Sequence, residues 1–138
     1  ELIEHAPDPR AVLGEAYRVL RKGGVFFCTS PFLFRIHGQP GDYGRYTDDF
    51  WNLILPEAGF SKFEIERQGH FWCVLADMIR SHIAQNLQTG RFCWPLGRRL
   101  TPKLVTHFER KAISRDARAA GDPFYASFTT GFGVRAVK

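Results

Sequence analysis

Five side chains that could carry chemistry lie within ten residues of one another, between His37 and Tyr46. An imidazole and a carboxylate, His37 and Asp42, could orient or deprotonate a hydroxyl or amine group. The Arg45 guanidinium could bind a carboxylate or phosphate, and the rings of Tyr43 and Tyr46 could stack on an aromatic ring or a sugar. The alternative is a self-contained loop, in which Asp42 pairs with Arg45 and the tyrosines pack beneath it.

A second polar pair, Glu4 and His5, stands near the start of the chain. Because an imidazole changes its charge near neutral pH, His5 is a further candidate for a general base. The alternative is that Glu4 and His5 only orient the neighbouring loop and helix through hydrogen bonds. Two groups supply too few converging ligands for a metal ion, so no metal site is predicted here.

The elements on either side must position these residues. Asp8 and Pro9 are typical of a helix start, since Asp caps free amides and Pro is tolerated at the first helical position. Gly23 suits the left-handed residue after that helix. The apolar run 25–28 predicts a strand covered on both faces, as in the centre of a parallel sheet. If residues 1–3 end a preceding strand, the three elements form a right-handed βαβ unit.

The loop 31–46 follows the carboxyl end of the predicted strand, and in open α/β sheets that edge binds ligands. Thr47 is expected to cap the next helix, whose buried face would contain Phe50, Trp51, Ile54, Leu55 and Ala58. Beyond that helix, Phe63 and Ile65 alternate with charged residues, which predicts a strand with one solvent-exposed face.

The segment 70–125 has helical periodicity. One helix is expected from Phe71 to about Leu87, and Thr101 with Pro102 would start another. Their predicted apolar stripes are Phe71, Leu75, Met78, Ile79 and His82 in the first, and Leu104, Val105, Phe108 and Ala112 in the second. Alternation of Phe132, Val134 and Ala136 with their neighbours then predicts a final strand.

The charge of the chain is concentrated in one segment. The 138 residues carry a net charge of +5, yet residues 91–118 alone hold eight basic and two acidic side chains, a net +6. Arg91, Arg98, Arg99, Arg110 and Lys111 are among these cations. This segment could bind an anionic membrane surface or, as a weaker alternative, a nucleic acid, unless it is an ordinary solvated face.

Other patterns exclude some classes of protein. Gly23 and Gly24 run from a helix into a strand, the reverse of a phosphate-binding glycine loop. The three cysteines (Cys28, Cys73 and Cys93) are scattered and odd in number, which favours reduced thiols in the cytoplasm over a disulfide framework. The hydrophobic content of 44% is typical of a globular core rather than of disorder.

Four landmarks within residues 1–68, and more weakly the last strand, resemble the second half of a class I S-adenosylmethionine-dependent methyltransferase of type 11. They are a Leu-x-Glu-His run, a Glu-x-x-Arg-Val-Leu run, a Gly-Gly pair and an Ala-Gly-Phe turn. In this sequence they are Leu2, Glu4 and His5; Glu15, Arg18, Val19 and Leu20; Gly23 and Gly24; and Ala58, Gly59 and Phe60.

This resemblance implies part of a Rossmann-like α/β fold: the end of a parallel strand, a helix, a buried strand, a second helix and antiparallel outer strands, with a helical insertion. The expected domains are a core over 1–68, an insertion over 69–125 and a last core strand over 126–138. It also implies S-adenosyl-L-methionine as the cofactor, with Glu4 and His5 beside its methionine end. The loop with His37, Asp42, Tyr43, Arg45 and Tyr46 would cover the active site.

No glycine-rich loop precedes Glu1 and no initiator Met is present, so the resemblance implies a fragment without the N-terminal cofactor-binding half, and inactive by itself. The intact protein is expected to methylate a small-molecule, sugar or lipid-linked acceptor, and uncovered strand edges could favour a homo-oligomer. One alternative is a non-catalytic interaction domain that docks an anionic partner through residues 91–118. Another is a different Rossmann-like enzyme that acts on a nucleotide-sugar or dinucleotide.

Overall fold

The computed structural model describes residues 1–38, 41–89 and 95–138. The chain divides into two compact units, of which the first comprises Glu1–Gln68 and Gly131–Lys138 and the second comprises Gly69–Thr130. The domain boundaries expected from the sequence remain predictions, because compactness alone does not show which segments fold independently. Arg91 and Cys93, and the side chains of Arg98, Arg99 and Thr101, lie outside the described residues.

The first unit contains helices α1 and α2 and a three-stranded sheet. The helices span Pro9–Val19 and Asp48–Glu57, and the strands span Val25–Pro31 (β1), Lys62–Gln68 (β2) and Gly131–Val137 (β3). The strand order is β1-β3-β2, and β3 pairs antiparallel with both neighbours. The last strand of the chain therefore lies in the centre of the sheet. Its inward residues are the predicted Phe132, Val134 and Ala136, all buried.

Strand β1 departs from the expectation of a central parallel strand with both faces covered. Its pairing is antiparallel, and the Phe27 side chain is 69% exposed. Phe26 points to the opposite face and stacks on Phe60 with ring centroids 5.7 Å apart. The continuous apolar run therefore has one buried face and one open face in this unit, because the core residues of α1 and α2 pack on the Phe26 side of the described sheet.

Both helices begin where local sequence signals place them. The Asp8 carboxylate accepts hydrogen bonds from the amides of Arg10 and Ala11, and the Thr47 side chain accepts one from the Phe50 amide. The caps orient two apolar helix faces toward the sheet. The resulting core contains Ile3, Leu13, Trp51, Ile54, Leu55, Phe60, Phe132, Val134 and Ala136.

Two glycines of the family-like landmarks adopt the left-handed conformation. Gly23 has a φ of 75°, and its amide donates a hydrogen bond of 2.7 Å to the Lys138 carbonyl. Gly59 has a φ of 105°, and a Cβ at this position would lie 2.8 Å from the Tyr17 ring. The Ala-Gly-Phe turn thus requires a glycine both for its backbone and for close packing against α1.

The beginning of the chain also differs from the prediction, which placed the end of a strand at residues 1–3. Residues Ile3–His5 form a 3-10 turn, in which Ile3 and Glu4 are buried. The terminal amino group of Glu1 donates to the Thr29 carbonyl at 2.5 Å, and no ladder to β1 extends beyond it among the described residues. The turn places Glu4 and His5 beside the loop that follows β1, where the Tyr43 amide donates to the Glu4 carbonyl.

The second unit is helical. It contains α3 (Phe71–Gln88), α4 (Pro95–Ala119) and the short α5 (Pro123–Ala126). The helix start predicted at Thr101 and Pro102 is wrong, since α4 begins at Pro95 and continues through Pro102. In the part of the chain that the structure describes, no helix is long and apolar enough to cross a membrane.

The contacts between α3 and α4 differ from the predicted apolar stripes. Met78 and Leu104 are more than half exposed, whereas Val74 and Ala76, outside the predicted stripes, are buried; the predicted Ala112 is buried as expected. Asp116 is buried as well, and it accepts hydrogen bonds from three amides at the start of α3, those of His70, Trp72 and Cys73, at 2.8–3.0 Å. A carboxylate on one helix therefore caps the other.

Candidate active site at the carboxyl end of strand β1

The loop that follows β1 is held in place by Arg45. Its guanidinium forms a two-armed ion pair with the Asp42 carboxylate and also donates to the carbonyls of Gly44 and Arg35, at 2.8 and 3.2 Å. These four hydrogen bonds engage most of the five N–H groups of the side chain. Arg45 therefore closes the loop on itself, as in the self-contained alternative, and its predicted role as an anion-binding residue stays untested.

Asp42 is enclosed by the same interactions. Its side chain is almost fully buried, and one oxygen accepts a hydrogen bond of 3.1 Å from the His37 amide. Hydrogen bonds from Arg45 hold the pKa of the Asp42 carboxyl well below its usual range; burial acts in the opposite direction, and the His37 amide assists Arg45. A carboxylate stabilised in this way is a weak base. The geometry thus favours a positioning role for Asp42 over the predicted proton transfer.

The 3-10 turn and the loop are joined by two hydrogen bonds. The Tyr43 amide donates to the Glu4 carbonyl at 2.7 Å, and the Nδ1 atom of His5 is hydrogen-bonded to the Gly41 carbonyl. Glu4 is fully buried, and neither of its carboxylate oxygens has a hydrogen-bond partner among the described residues. An unpartnered buried carboxylate is energetically costly, so a cation bound next to Glu4 would be stabilising.

His37 approaches the same carboxylate from the loop. Its Nε2 atom lies 3.9 Å from Glu4 Oε1, and the Nε2 atom of His5 lies 3.7 Å from that oxygen. The two imidazole rings meet edge to face, with centroids 4.9 Å apart. The structure thus brings together Glu4, His5 and His37, although Glu4 and His5 are separated from His37 in the sequence by more than 30 residues. The available signal was their shared position: both segments border the carboxyl end of β1.

The two predicted substrate-binding tyrosines have different surroundings. Tyr46 stacks on Phe50 with ring centroids 4.3 Å apart and meets Trp51 edge to face, and burial raises the pKa of the Tyr46 hydroxyl. Tyr43 is 59% exposed. The structure therefore favours Tyr43 as the ring that could stack on a bound molecule and Tyr46 as part of the core.

A cavity of about 630 Å³ lies elsewhere in the first unit, along the open face of the sheet. Its lining is largely apolar and includes Ile3, Val12 and Phe27. Cys28 also borders it, and burial raises the pKa of this thiol to about 11. A buried, protonated thiol is unreactive. The cavity therefore offers apolar contact area, while the polar chemistry is concentrated at the Glu4, His5 and His37 side chains.

Comparison with known proteins places this arrangement in context. Residues 1–28 match a family model described as "Methyltransferase domain". The chain is 32% identical over 110 residues to the 2-methyl-6-phytyl-1,4-hydroquinone methyltransferase 2, chloroplastic, of Oryza sativa subsp. japonica; the match covers 64% of this chain and 30% of that protein.

Two solved structures of the Haemonchus contortus phosphoethanolamine N-methyltransferase 2 also match. The complex with S-adenosyl-L-methionine has a TM-score of 0.50 and 18% identity, covering all of this chain and 31% of the other. The complex with phosphomonomethylethanolamine and S-adenosylhomocysteine has a TM-score of 0.49 and 17% identity, covering all of this chain and 32% of the other.

These matches confirm the predicted resemblance to class I methyltransferases and the Rossmann-like α/β fold class. The chain spans about a third of the length of the relatives it matches.

Proposed function

We propose that the chain is part of an S-adenosyl-L-methionine-dependent methyltransferase whose active site includes the carboxyl end of β1. The observation that carries this proposal is the position of the polar cluster: Glu4 and His5 lie near the start of residues 1–28, which match the methyltransferase family model, and the His37 loop folds against them. In open α/β sheets, ligands bind at this edge. The alternative Rossmann-like enzymes have no comparable support.

The residues present are compatible with the cofactor. S-adenosyl-L-methionine carries a sulfonium and an ammonium group, and the buried Glu4 carboxylate is a suitable partner for positive charge. In this proposal Glu4 and His5 lie beside the methionine end of the cofactor. The cofactor supplies the methyl group, and the residues of this chain bind and orient the reacting groups.

The acceptor would bind between the His37 loop and the end of β1. His37 is the candidate base, because its ring is partly exposed, whereas Asp42 is tied to Arg45. Tyr43 offers an exposed ring to a small-molecule, sugar or lipid-linked acceptor. The hydroquinone and phosphoethanolamine named for the relatives are both small molecules with polar groups, which is consistent with this class.

The experiment uses the full-length protein and measures transfer of a radiolabelled methyl group from S-adenosyl-L-methionine to phenols, amines and sugar hydroxyls. His37→Ala should lower kcat by roughly 100-fold if His37 acts as the base. His82→Ala, on an exposed histidine of α3, is the matched control and should retain wild-type turnover. Cofactor binding should persist in both variants. A full-length protein that neither binds the cofactor nor labels any acceptor would overturn the proposal.

Helix α4, which carries much of the basic segment 91–118, supports a second element of the proposal, a basic surface that docks on an anionic membrane. Lys103, His107 and Arg110 line one groove on α4, which suits an anionic membrane surface and hence a lipid-linked acceptor. Co-sedimentation of the full-length protein with anionic vesicles should fall at high salt and in a Lys103→Gln, Arg110→Gln double variant. Equal sedimentation with neutral and anionic vesicles would reject the proposal that this surface binds anionic membranes.

The proposal includes a cytoplasmic location, because Cys28 and Cys73 are both free thiols.

The rival hypothesis is a non-catalytic interaction domain that docks an anionic partner through residues 91–118. It requires vesicle or partner binding without cofactor binding, so the same two measurements separate the hypotheses. A homo-oligomer, expected from uncovered strand edges, is compatible with either and would appear in the sedimentation velocity of the full-length protein.

A further inference from the structure

The strongest unexplained feature of the molecule is the arrangement of the Glu4, His5 and His37 side chains. One ligand atom from each residue lies within 4.8 Å of the other two. The carboxylate is fully buried and has no hydrogen-bond donor among the described residues, whereas both imidazoles reach solvent on one side. Two imidazoles and a carboxylate are a donor set that divalent transition ions such as Zn²⁺ and Fe²⁺ prefer.

The hydrogen bonds at the far side of each ring determine which nitrogen faces the carboxylate as an acceptor. A carbonyl oxygen can only accept, so the Nδ1 atom of His5, bonded to the Gly41 carbonyl, must carry a hydrogen. The Nδ1 atom of His37 lies 3.2 Å from the Arg35 carbonyl and must carry one for the same reason. In the neutral form of each ring, the Nε2 atom then has a free lone pair. Metal-binding histidines are commonly oriented by such a second hydrogen bond.

The distances distinguish an ion site from direct hydrogen bonding. Nε2–H groups that donated to Glu4 would lie about 2.7–3.2 Å from its oxygen. The observed separations from Glu4 Oε1 are 3.7 Å for His5 and 3.9 Å for His37. Ligands bound to one zinc ion at about 2.0–2.2 Å stand roughly 3.3 Å apart in a tetrahedral arrangement, so small side-chain rotations would bring all three atoms onto one ion. An ion at this point would also neutralise the buried carboxylate.

We infer that Glu4, His5 and His37 form a binding site for a divalent transition-metal ion, with the Nε2 atoms of both histidines and a carboxylate oxygen of Glu4 as ligands. Asp42 is a positioning residue for this site. The Asp42 carboxylate accepts a hydrogen bond of 3.1 Å from the His37 amide and lies 3.4 Å from His37 Nδ1. Hydrogen bonds from Arg45 fix the orientation of the Asp42 carboxylate. From the sequence no metal site is predicted, because Glu4 and His5 alone supply too few ligands. The structure adds His37 as the third ligand.

Three protein ligands leave at least one coordination position open, and the exposed side of the two rings places it toward solvent. This part of the inference rests on the proposed function, and in it His37 acts as a metal ligand instead of as the base: an acceptor hydroxyl at the open position would lose its proton to water more easily, because a bound cation stabilises the oxyanion. The metal site itself does not depend on that role.

The test measures metal directly. Full-length protein is stripped with a chelator, dialysed against Zn²⁺, and analysed for bound metal by mass spectrometry; Co²⁺ uptake is followed by its visible absorption, and Mg²⁺ is the negative probe. The expected result is one Zn²⁺ per chain at this site, a visible Co²⁺ spectrum and no competition by Mg²⁺. Glu4→Gln, His5→Ala and His37→Ala should each remove this ion, and Asp42→Asn should weaken its binding by roughly 10- to 100-fold.

Controls separate a lost ligand from a damaged fold. Glu64→Gln and His82→Ala, on exposed side chains of β2 and α3, should bind Zn²⁺ as the wild type does. Because Glu4→Gln removes a buried charge, its apo form should melt at the wild-type temperature or above, without the rise in Tm that Zn²⁺ gives the wild type. Wild-type protein that takes up neither Zn²⁺ nor Co²⁺, or Glu4→Gln protein that keeps a full equivalent, would overturn the inference. Methyl transfer by metal-free protein would remove only the catalytic role, and metal uptake without methyl transfer would remove only the proposed function.

Discussion

Asp116 caps a helix to which it does not belong, and its replacement should have a large, local effect. Helix α3 begins after His70, which provides no side-chain cap of its own. The Asp116 carboxylate, 5% exposed, instead accepts from the amides of His70, Trp72 and Cys73. Three of the amides that a helix start leaves unpaired are therefore satisfied from α4.

The magnitude follows from these contacts. Hydrogen bonds to a charged group contribute about 1.5–3 kcal/mol each, while water at the half-buried helix end would compensate part of the loss. For Asp116→Ala we expect the second unit to lose about 3 kcal/mol. Hydrogen exchange of the Trp72 and Cys73 amides in the full-length protein should then accelerate on the order of 100-fold, since 1.36 kcal/mol corresponds to a factor of ten.

The effect should also depend on pH with a defined sign. Burial alone would raise the pKa of Asp116, but hydrogen bonds from the Cys73 thiol and the three amides lower it below the ordinary value. The stabilisation is then present above the unfolded-state pKa of about 3.9 and is lost as the pH falls through the lower folded-state value. In the Asp116→Asn variant, the free energy of unfolding should not show the loss on acidification that the Asp116 carboxylate causes in the wild type.

Asp77→Asn is the matched control, because Asp77 pairs with Arg80 in a more exposed ion pair on α3. This substitution should change stability by less than about 0.5 kcal/mol. If Asp116→Ala leaves the exchange of the Trp72 and Cys73 amides unchanged, or if Asp77→Asn has the same effect, the capping argument is wrong.

Three further predictions concern the first unit of the full-length protein. Thr47→Ala removes the hydrogen bond to the Phe50 amide and should lower the free energy of unfolding by about 1 kcal/mol in urea titrations, whereas Thr47→Ser should be near neutral. Trp51→Ala empties a fully buried position and should cost about 3–5 kcal/mol in the same assay; a cost below 1 kcal/mol would mean that this core is not formed. Since burial raises the pKa of Cys28 to about 11, its alkylation at pH 8, followed by mass spectrometry, should be roughly 100-fold slower than that of free cysteine, and equal rates would show that the strand is open.

The sequence by itself determined the elements whose signals are local. The starts of α1 and α2 were predicted from Asp8 and Thr47, because a cap bonds to amides two or three residues away. The inward face of β3 was predicted from alternation, since successive side chains of a strand point to opposite sides. The resemblance to class I methyltransferases likewise depended on short motifs in a fixed order, and comparison with known proteins confirmed it, with a family model that matches residues 1–28.

Only the tertiary structure decided which distant residues meet. The exposure of Phe27 depends on which elements pack over its face of the sheet, and the cap of α3 comes from Asp116, 46 residues beyond His70 in the chain. His37 reaches Glu4 because Arg45 closes the loop, a contact that no spacing rule predicts. The physical reason is that helix and strand signals act over a few residues of backbone, whereas burial, charge compensation and ligand geometry are sums over all neighbours that the fold brings together.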